Sequence, residues 1–195
     1  MRIVVIGTSG SGKTTLAKQL ANHFNLPHVE FDALRHGPNW AETPDDTFRE
    51  LLADALSGES WVADGNYSIA RGVVWPRATT LLWLDYPFGV IIWRLLYRTL
   101  RRSVLREELW NGNREKLWWH FVTKDSLFLW AFQTHWRMRK TFLDAFIEPE
   151  HSHLKVLRMR SPGATKKWLK EATGPFHFVV EKDCPYCSAS SKVLM

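Results

Sequence analysis

Cysteine is almost missing from this sequence: Cys184 and Cys187 are the only two. They are too few for a disulfide framework and fit a reducing compartment. Long hydrophobic runs are missing too. Residues 89–93 and 127–132 are among the longest apolar stretches, far short of the roughly 20 residues a membrane-spanning helix needs. Met1 leads straight into a strand pattern, with no signal-peptide pattern ahead of it. Internal repeats and low-complexity segments are absent as well. These absences exclude a disulfide-stapled scaffold, a solenoid and a helical membrane protein. The expectation is a soluble, cytoplasmic protein with no membrane partner. Its 195 residues, 45% of them hydrophobic, suit one domain with a substantial core.

The positive charge is unevenly placed. The chain carries a net charge of +6, and residues 94–116 hold seven Lys/Arg (94, 98, 101, 102, 106, 114, 116) against three Glu (107, 108, 115). A surface that binds a polyanion and a lid that closes over phosphates would both produce such a cluster. Six of the eleven tryptophans fall between Trp93 and Trp136, so the basic stretch is also rich in aromatic residues.

The first fifteen residues organise the rest. Ile3, Val4, Val5 and Ile6 form a short, largely β-branched run, as expected for a strand covered on both faces of a parallel sheet. Gly7-Thr8-Ser9-Gly10-Ser11-Gly12-Lys13-Thr14 then matches G-x-x-x-x-G-K-[ST], and Leu16, Ala17, Leu20, Ala21 and Phe24 follow at helical spacing. Without a Cβ, Gly10 and Gly12 let the backbone wrap a phosphate chain and aim its N–H groups inward at the start of a helix. Gly7, Ser9, Gly10, Ser11, Gly12, Lys13, Thr14 and Thr15 are thus the expected nucleotide-binding residues, with ATP as ligand. Lys13 reaches the β- and γ-phosphates, the Thr14 hydroxyl offers Mg²⁺ one ligand, and Thr15 lies near the α-phosphate.

Past a break at Asn25-Leu26-Pro27, residues 28–31 read as a second strand that delivers Asp32 to its carboxyl end, where ligands bind in open α/β sheets. Residues 33–43 read as a loop on the substrate side. Phe48, Leu51, Leu52, Ala55 and Leu56 set a helix with Pro44 near its first turn and Gly58 as its stop. Trp61-Val62-Ala63 is a third strand, ending at Asp64-Gly65-Asn66-Tyr67. An aspartate there can hold Mg²⁺ or serve only as a turn residue before glycine.

Residues 79–84 are the clearest fourth strand, ending at Asp85-Tyr86-Pro87. From Phe88 a long helix runs to about Arg102, with Arg94, Arg98, Arg101 and Arg102 on one face. A second long helix over 125–147 carries Phe128, Leu129, Phe132, Trp136, Leu143 and Phe146, its aromatics expected in the core and not as a cofactor box. Residues 154–159 supply a fifth strand, and Ser161-Pro162-Gly163 opens a last helix. Beyond residue 174 the pattern fades: 176–180 offers an edge strand at most. Cys184-Pro185-Tyr186-Cys187 is half of a zinc site that lacks two ligands unless His177 or another subunit supplies them. A tail with reduced thiols is the simpler reading. Strands alternating with helices predict an α/β, three-layer P-loop NTPase fold with a five-stranded parallel sheet.

Five stretches together resemble the bacterial DNA topology modulation proteins, which are adenylate-kinase-like P-loop proteins. They are the loop 7–14, Phe31-Asp32-Ala33-Leu34, the run 61–67, Trp83-Leu84-Asp85-Tyr86-Pro87, and Leu109-Trp110-Asn111-Gly112-Asn113-Arg114-Glu115. The resemblance covers about residues 1–172. It implies a kinase-like domain over 1–173, a helical lid inserted at about 103–124, and a separate tail over 174–195. It departs from the adenylate kinases at Asn66-Tyr67, where those continue Phe-Pro-Arg, and no adenylate-kinase monophosphate pocket follows Phe31.

The combined expectation is an Mg²⁺- and ATP-dependent phosphotransferase acting on a small nucleoside, nucleotide or related metabolite. Lys13, Asp32, Arg94 and Arg98 would be catalytic, and Thr14 and Asp64 would hold the metal. Asp32 either binds an acceptor hydroxyl or caps a turn. The four-arginine face either neutralises the transferring phosphoryl group or is a solvated basic face. Two other functions fit less of the pattern. One is an ATP-binding regulator that contacts nucleic acid through 94–116, interleaved with Trp93, Tyr97 and Trp110. The other is a toxin-like P-loop kinase acting on a cell-wall sugar nucleotide or a macromolecule.

Overall fold

The apolar run at the amino end forms the central strand of the sheet. The computed structural model describes residues 1–105 and 127–173, with the backbone alone for 102–105 and 127–131. Strand β1 (Arg2–Gly7) lies between β3 (Trp61–Asp64) and β4 (Thr80–Leu84). Strand β2 (His28–Glu30) adds outside β3, and β5 (Lys155–Met159) outside β4. The order is β2-β3-β1-β4-β5 and every pair is parallel. Because all five strands point the same way, their carboxyl ends and the residues just beyond them share one edge of the sheet.

Alternation along β1 divides the core into two layers. Ile3 and Val5 face α1 (Lys13–Phe24), packing with Leu16, Ala17 and Leu20, and with Trp168 of the last helix. Val4 and Ile6 face the opposite layer, with Phe48 and Leu52 of α3 (Asp45–Ala55), and with Val74 and Phe142. All four β1 side chains are at most 1% exposed, and burying each contributes about 1.5–3 kcal/mol. A parallel sheet between two helical layers with a phosphate loop after its central strand is the P-loop NTPase fold.

Several elements differ from the sequence expectation. Strand β2 ends at Glu30, and Phe31, 2% exposed, opens a short helix α2 (Phe31–Arg35). Asp32 therefore stands in the first turn of a helix and not at a strand end. The expected loop 33–43 contains the rest of α2, a 3₁₀ turn (Pro38–Trp40) and a bridge between His36 and Glu42. Arg35 fastens it with ion pairs to Glu42 and Asp45. Helix α3 stops at Ala55, three residues before Gly58. Helix α4 (Ser68–Val74) was not foreseen, since seven residues are too few to establish a period.

Helix α5 (Phe88–Leu105), helix α6 (Leu127–Phe146) and helix α7 (Pro162–Ala172) follow the expected order. The Ser161 side chain caps α7 by accepting from the Ala164 amide at 3.1 Å. In α6, Phe142, Ala145 and Phe146 pack on Trp83 and Trp75, whereas Phe132, Trp136 and Leu143 are 57%, 51% and 43% exposed. The expectation that all the α6 aromatics are core is thus corrected: the helix lays one stripe on the sheet layer and leaves the others outside. Apart from the end of α5, the expected lid at 103–124 lies outside the described residues, as do 176–180 and the Cys184/Cys187 tail. Among the described residues no helix is long and apolar enough to cross a membrane.

Candidate active site

The loop after β1 has the backbone its sequence demands. Gly10 and Gly12 adopt φ of 84° and 92°, left-handed values that a side chain would strain. No side chain caps α1, and no acidic residue stands in its first turn. Its amino-terminal N–H groups and the positive end of its dipole are therefore available to an anion. A Cβ on Gly12 would lie 3.3 Å from a guanidinium nitrogen of Arg94, which donates to the Ser11 carbonyl at 2.8 Å. Arg94 also stacks over Tyr86, 5.3 Å from the ring centroid. It is thus held against the phosphate loop in this structure.

At the carboxyl ends of β2 and β3, two carboxylates meet the start of α1. The Thr14 hydroxyl donates to Asp64 Oδ2 at 2.7 Å and lies 3.4 Å from Glu30 Oε1. His28 Nε2 lies 2.7 Å from Asp64 Oδ1, and Lys18 pairs with Glu30 at 3.6 Å. Thr14 and Asp64, the expected metal residues, are therefore brought together with a second carboxylate. This set of hard oxygen donors beside an anion-binding helix terminus suits Mg²⁺ held with a polyphosphate. Neither His28 nor Glu30 was singled out in the sequence. Glu30 is the register partner of Asp64 across the β2–β3 ladder, a relation visible only once the strand order is known.

Lys13 is half-buried between these groups. Desolvation lowers its pKa, opposed by Asp32, Asp64 and Glu30, while Arg98 lowers it further. That pattern puts Arg98 and Asp32 in the electrostatic field of the loop lysine. Of the remaining ladder, Arg101 is exposed on α5, and the Arg102 side chain lies outside the described residues. Ser9 is half-buried and Thr15 exposed.

The residues after β3 bond both the phosphate loop and Asp32. The Asn66 carboxamide accepts from the Gly7 amide at 3.1 Å and donates to the Gly7 carbonyl, fixing the first residue of the loop. The Tyr67 hydroxyl donates to Asp32 Oδ1 at 2.7 Å and lies 3.2 Å from His36 Nε2. Burial, the largest cause, raises the Tyr67 pKa, and Asp32 raises it further, so the phenol keeps its proton for Asp32. Asp32 is held by a neighbouring element through one oxygen and does not merely cap a local turn. Gly65 permits this arrangement: a Cβ there would fall 2.2 Å from the Phe31 ring. Asn66 and Tyr67 were legible as a motif but not as the two contacts that place the loop and the carboxylate.

Comparison with known proteins covers part of this region. A family model described as an AAA domain matches residues 2–55, which span the phosphate loop and Asp32. Shikimate kinase from Corynebacterium diphtheriae is 32% identical over 97 residues, covering 43% of this chain and 56% of that kinase. Shikimate kinase from Corynebacterium jeikeium is 34% identical over 92 residues, covering 44% and 49%. The chain spans about half the length of the curated relatives it matches. Among solved structures, a shikimate kinase from Aquifex aeolicus is 18% identical with a TM-score of 0.49, over 88% of this chain and 92% of that one. A sugar kinase from Janibacter sp. HTCC2649 is 21% identical, also at 0.49, over 88% and 91%.

Proposed function

We propose that the chain is a P-loop kinase that transfers a phosphoryl group from ATP, with Mg²⁺, to a hydroxyl of a small metabolite. The observation that carries this reading is the pairing of Asp32 with Tyr67 beside Lys13. A carboxylate is fixed on the acceptor side of the loop, within the field of the lysine that meets the terminal phosphates. A loop alone specifies nucleotide binding, whereas a positioned carboxylate next to it supplies what an acceptor alcohol needs. The curated relatives, both shikimate kinases, support the reaction class.

In this reading Lys13 and the α1 amides bind the triphosphate. Thr14 and Asp64 hold the metal, with Glu30 beside them, and bound Mg²⁺ supplies neutralisation of phosphate charge. Asp32 accepts the proton of the attacking hydroxyl through the oxygen that Tyr67 does not occupy. Arg94 and Arg98 offset charge on the transferred group, the contribution that dominates phosphoryl transfer. The test is a screen of nucleosides, nucleoside monophosphates and small alcohols, read by ADP release. An acceptor that raises ADP formation well above the rate with water is expected. If none does so while ATP binds, the transferase reading fails.

A further inference from the structure

Asp64 closes β3 with its carboxylate only 2% exposed. Among the described residues no lysine or arginine pairs with it, and Lys13 acts on it only from beyond ion-pair reach. Two hydrogen bonds hold it instead, one to each oxygen. Oδ2 accepts from the Thr14 hydroxyl and Oδ1 from His28 Nε2, both at 2.7 Å. A hydroxyl that gives its proton to Asp64 keeps its oxygen lone pairs, and those are what a hard cation takes. The orientation of the Thr14 hydroxyl thus follows the way the Asp64 carboxylate is turned.

His28 reaches this carboxylate because of the pleat of β2. His28 and Glu30 are two residues apart, so both side chains leave the strand on the face that meets α1, while Val29 between them packs in the opposite core layer. Parallel pairing of β2 with β3 sets Glu30 beside Asp64 and His28 two positions behind it. The bond from Nε2 is the one hydrogen bond of the His28 ring among the described residues. Glu30 is placed differently: Lys18 pairs with it at 3.6 Å, and its contact with Thr14 is the longer one, at 3.4 Å. Asp64 is therefore the carboxylate that steers Thr14, and His28 is the group that steers Asp64.

We propose that His28 is a positioning residue for the divalent cation: by holding Asp64 Oδ1 it turns Oδ2 to Thr14, so that the threonine oxygen is oriented before metal and nucleotide arrive. The proposal rests on the metal role given above to Thr14 and Asp64. Without His28, Oδ1 is left buried with no donor, and the carboxylate is free to rotate about its terminal bond and to take the Thr14 hydroxyl with it. Outer partners that orient metal-site groups in this way hold roughly 10–100-fold of metal affinity.

Mn²⁺ serves as the probe, and binding is measured apart from turnover. Affinity of the full chain for a fluorescent, non-hydrolysable ATP analogue is determined in EDTA and again in saturating Mn²⁺; the ratio of the two is the coupling between metal and nucleotide. His28→Asn ends one bond short of Asp64, whereas His28→Gln keeps an amide N–H within reach of it. We expect His28→Asn to lower the ratio about 10-fold or more with affinity in EDTA unchanged, and His28→Gln to retain most of it. In an Asp64→Ala background His28→Asn should have no further effect, because it acts through Asp64 alone. Thermal melts verify folding, and His28→Thr, also too short and suited to a strand, replaces His28→Asn if that variant does not fold. A wild-type ratio near one removes the metal reading and this inference with it. The inference alone falls if His28→Asn keeps the wild-type ratio, if His28→Gln loses as much as His28→Asn, if affinity in EDTA falls equally, or if the loss adds in full to that of Asp64→Ala. No acceptor enters the assay, so a His28-dependent ratio in a chain that phosphorylates nothing in the ADP-release screen keeps the assignment of His28 and overturns only the transferase reading.

Discussion

At the scale of single residues, the site is crowded with groups that hold one another in place, and substitutions separate binding from structure. The Lys13 side chain makes no hydrogen bond among the described residues, so Lys13→Ala is expected to abolish ATP turnover and leave the thermal melt nearly unchanged. Asp64 differs, because it accepts from Thr14 and meets His28. Asp64→Asn should weaken the Mg²⁺ dependence of turnover more than nucleotide affinity measured in EDTA; equal losses would mark Asp64 as structural. Gly65→Ala introduces a methyl 2.2 Å from Phe31 at a φ of 157°. We expect a loss of about 3 kcal/mol in urea denaturation.

The Tyr67 phenol gives the fold an alkaline signature. Its pKa is raised in the folded state, as is that of Tyr86, whose hydroxyl meets Thr165. Above about pH 10 the unfolded chain ionises these phenols while the folded chain keeps them protonated. Stability from this source is fully present below that pH and falls as pH rises through the folded pKa. Tyr67→Phe should flatten the decline in unfolding free energy between about pH 9.5 and 11, even if it lowers stability at neutral pH.

At the scale of elements, α6 is joined to the sheet by charge as well as by aromatic packing. Asp85, just past β4, is 5% exposed and holds Arg158 of β5 at 2.6 Å and Arg139 of α6 at 2.8 Å. Arg158 also stacks 4.4 Å from the Trp83 centroid. Asp85→Ala leaves two guanidiniums without their shared carboxylate. Because both stay partly in water, the expected loss is about 3 kcal/mol, the low end for a broken buried pair. Nearby, His135 is buried against Phe88, with its pKa lowered by burial, then by Arg139, and opposed by Asp85. An imidazole kept neutral by the fold is protonated in the unfolded chain first. Its contribution is present above about pH 6.5 and is lost as pH falls through the folded value. His135→Gln should make stability less sensitive to acid between pH 5 and 7.

The strands and long helices were legible because each announces itself locally. Val4 and Ile6 alternate with Ile3 and Val5, and α1 and α5 repeat their apolar positions over several turns. Helix α4 has fewer than two full turns and could not do so. The early end of β2 has a different cause: Phe31 is drawn into the core beneath Gly65, and no local signal records a contact made 34 residues away.

At the scale of the whole molecule, strand order decides which distant residues become neighbours. The phosphate loop could be read in full from one stretch of sequence. The meeting of Glu30, His28 and Asp64, and of Tyr67 with Asp32, depends on β2 lying beside β3. The basic stretch 94–116 also changes meaning at this scale. Arg94 is committed to the loop carbonyl and Arg98 to the field of Lys13, whereas Arg106 and Lys116 lie outside the described residues. For Arg94→Ala we expect a fall in kcat of the order of 10³-fold with a modest change in KM for ATP. A nucleic-acid surface would instead give intact turnover and a salt slope of DNA binding reduced by about one unit per arginine.

Asn66 stands between the phosphate loop and the residue that holds Asp32. Its carboxamide bonds both polar groups of Gly7, the residue that opens the phosphate loop, while the next residue, Tyr67, holds Asp32. In the proposed kinase, occupancy on one side would bias the other through these contacts, and thermodynamic linkage makes any such bias reciprocal: whatever factor an acceptor imposes on ATP affinity, ATP imposes on the acceptor. In Asn66→Ala the two factors should shrink together toward one, with each substrate still binding alone. Titrating each ligand in the presence and absence of the other closes the cycle.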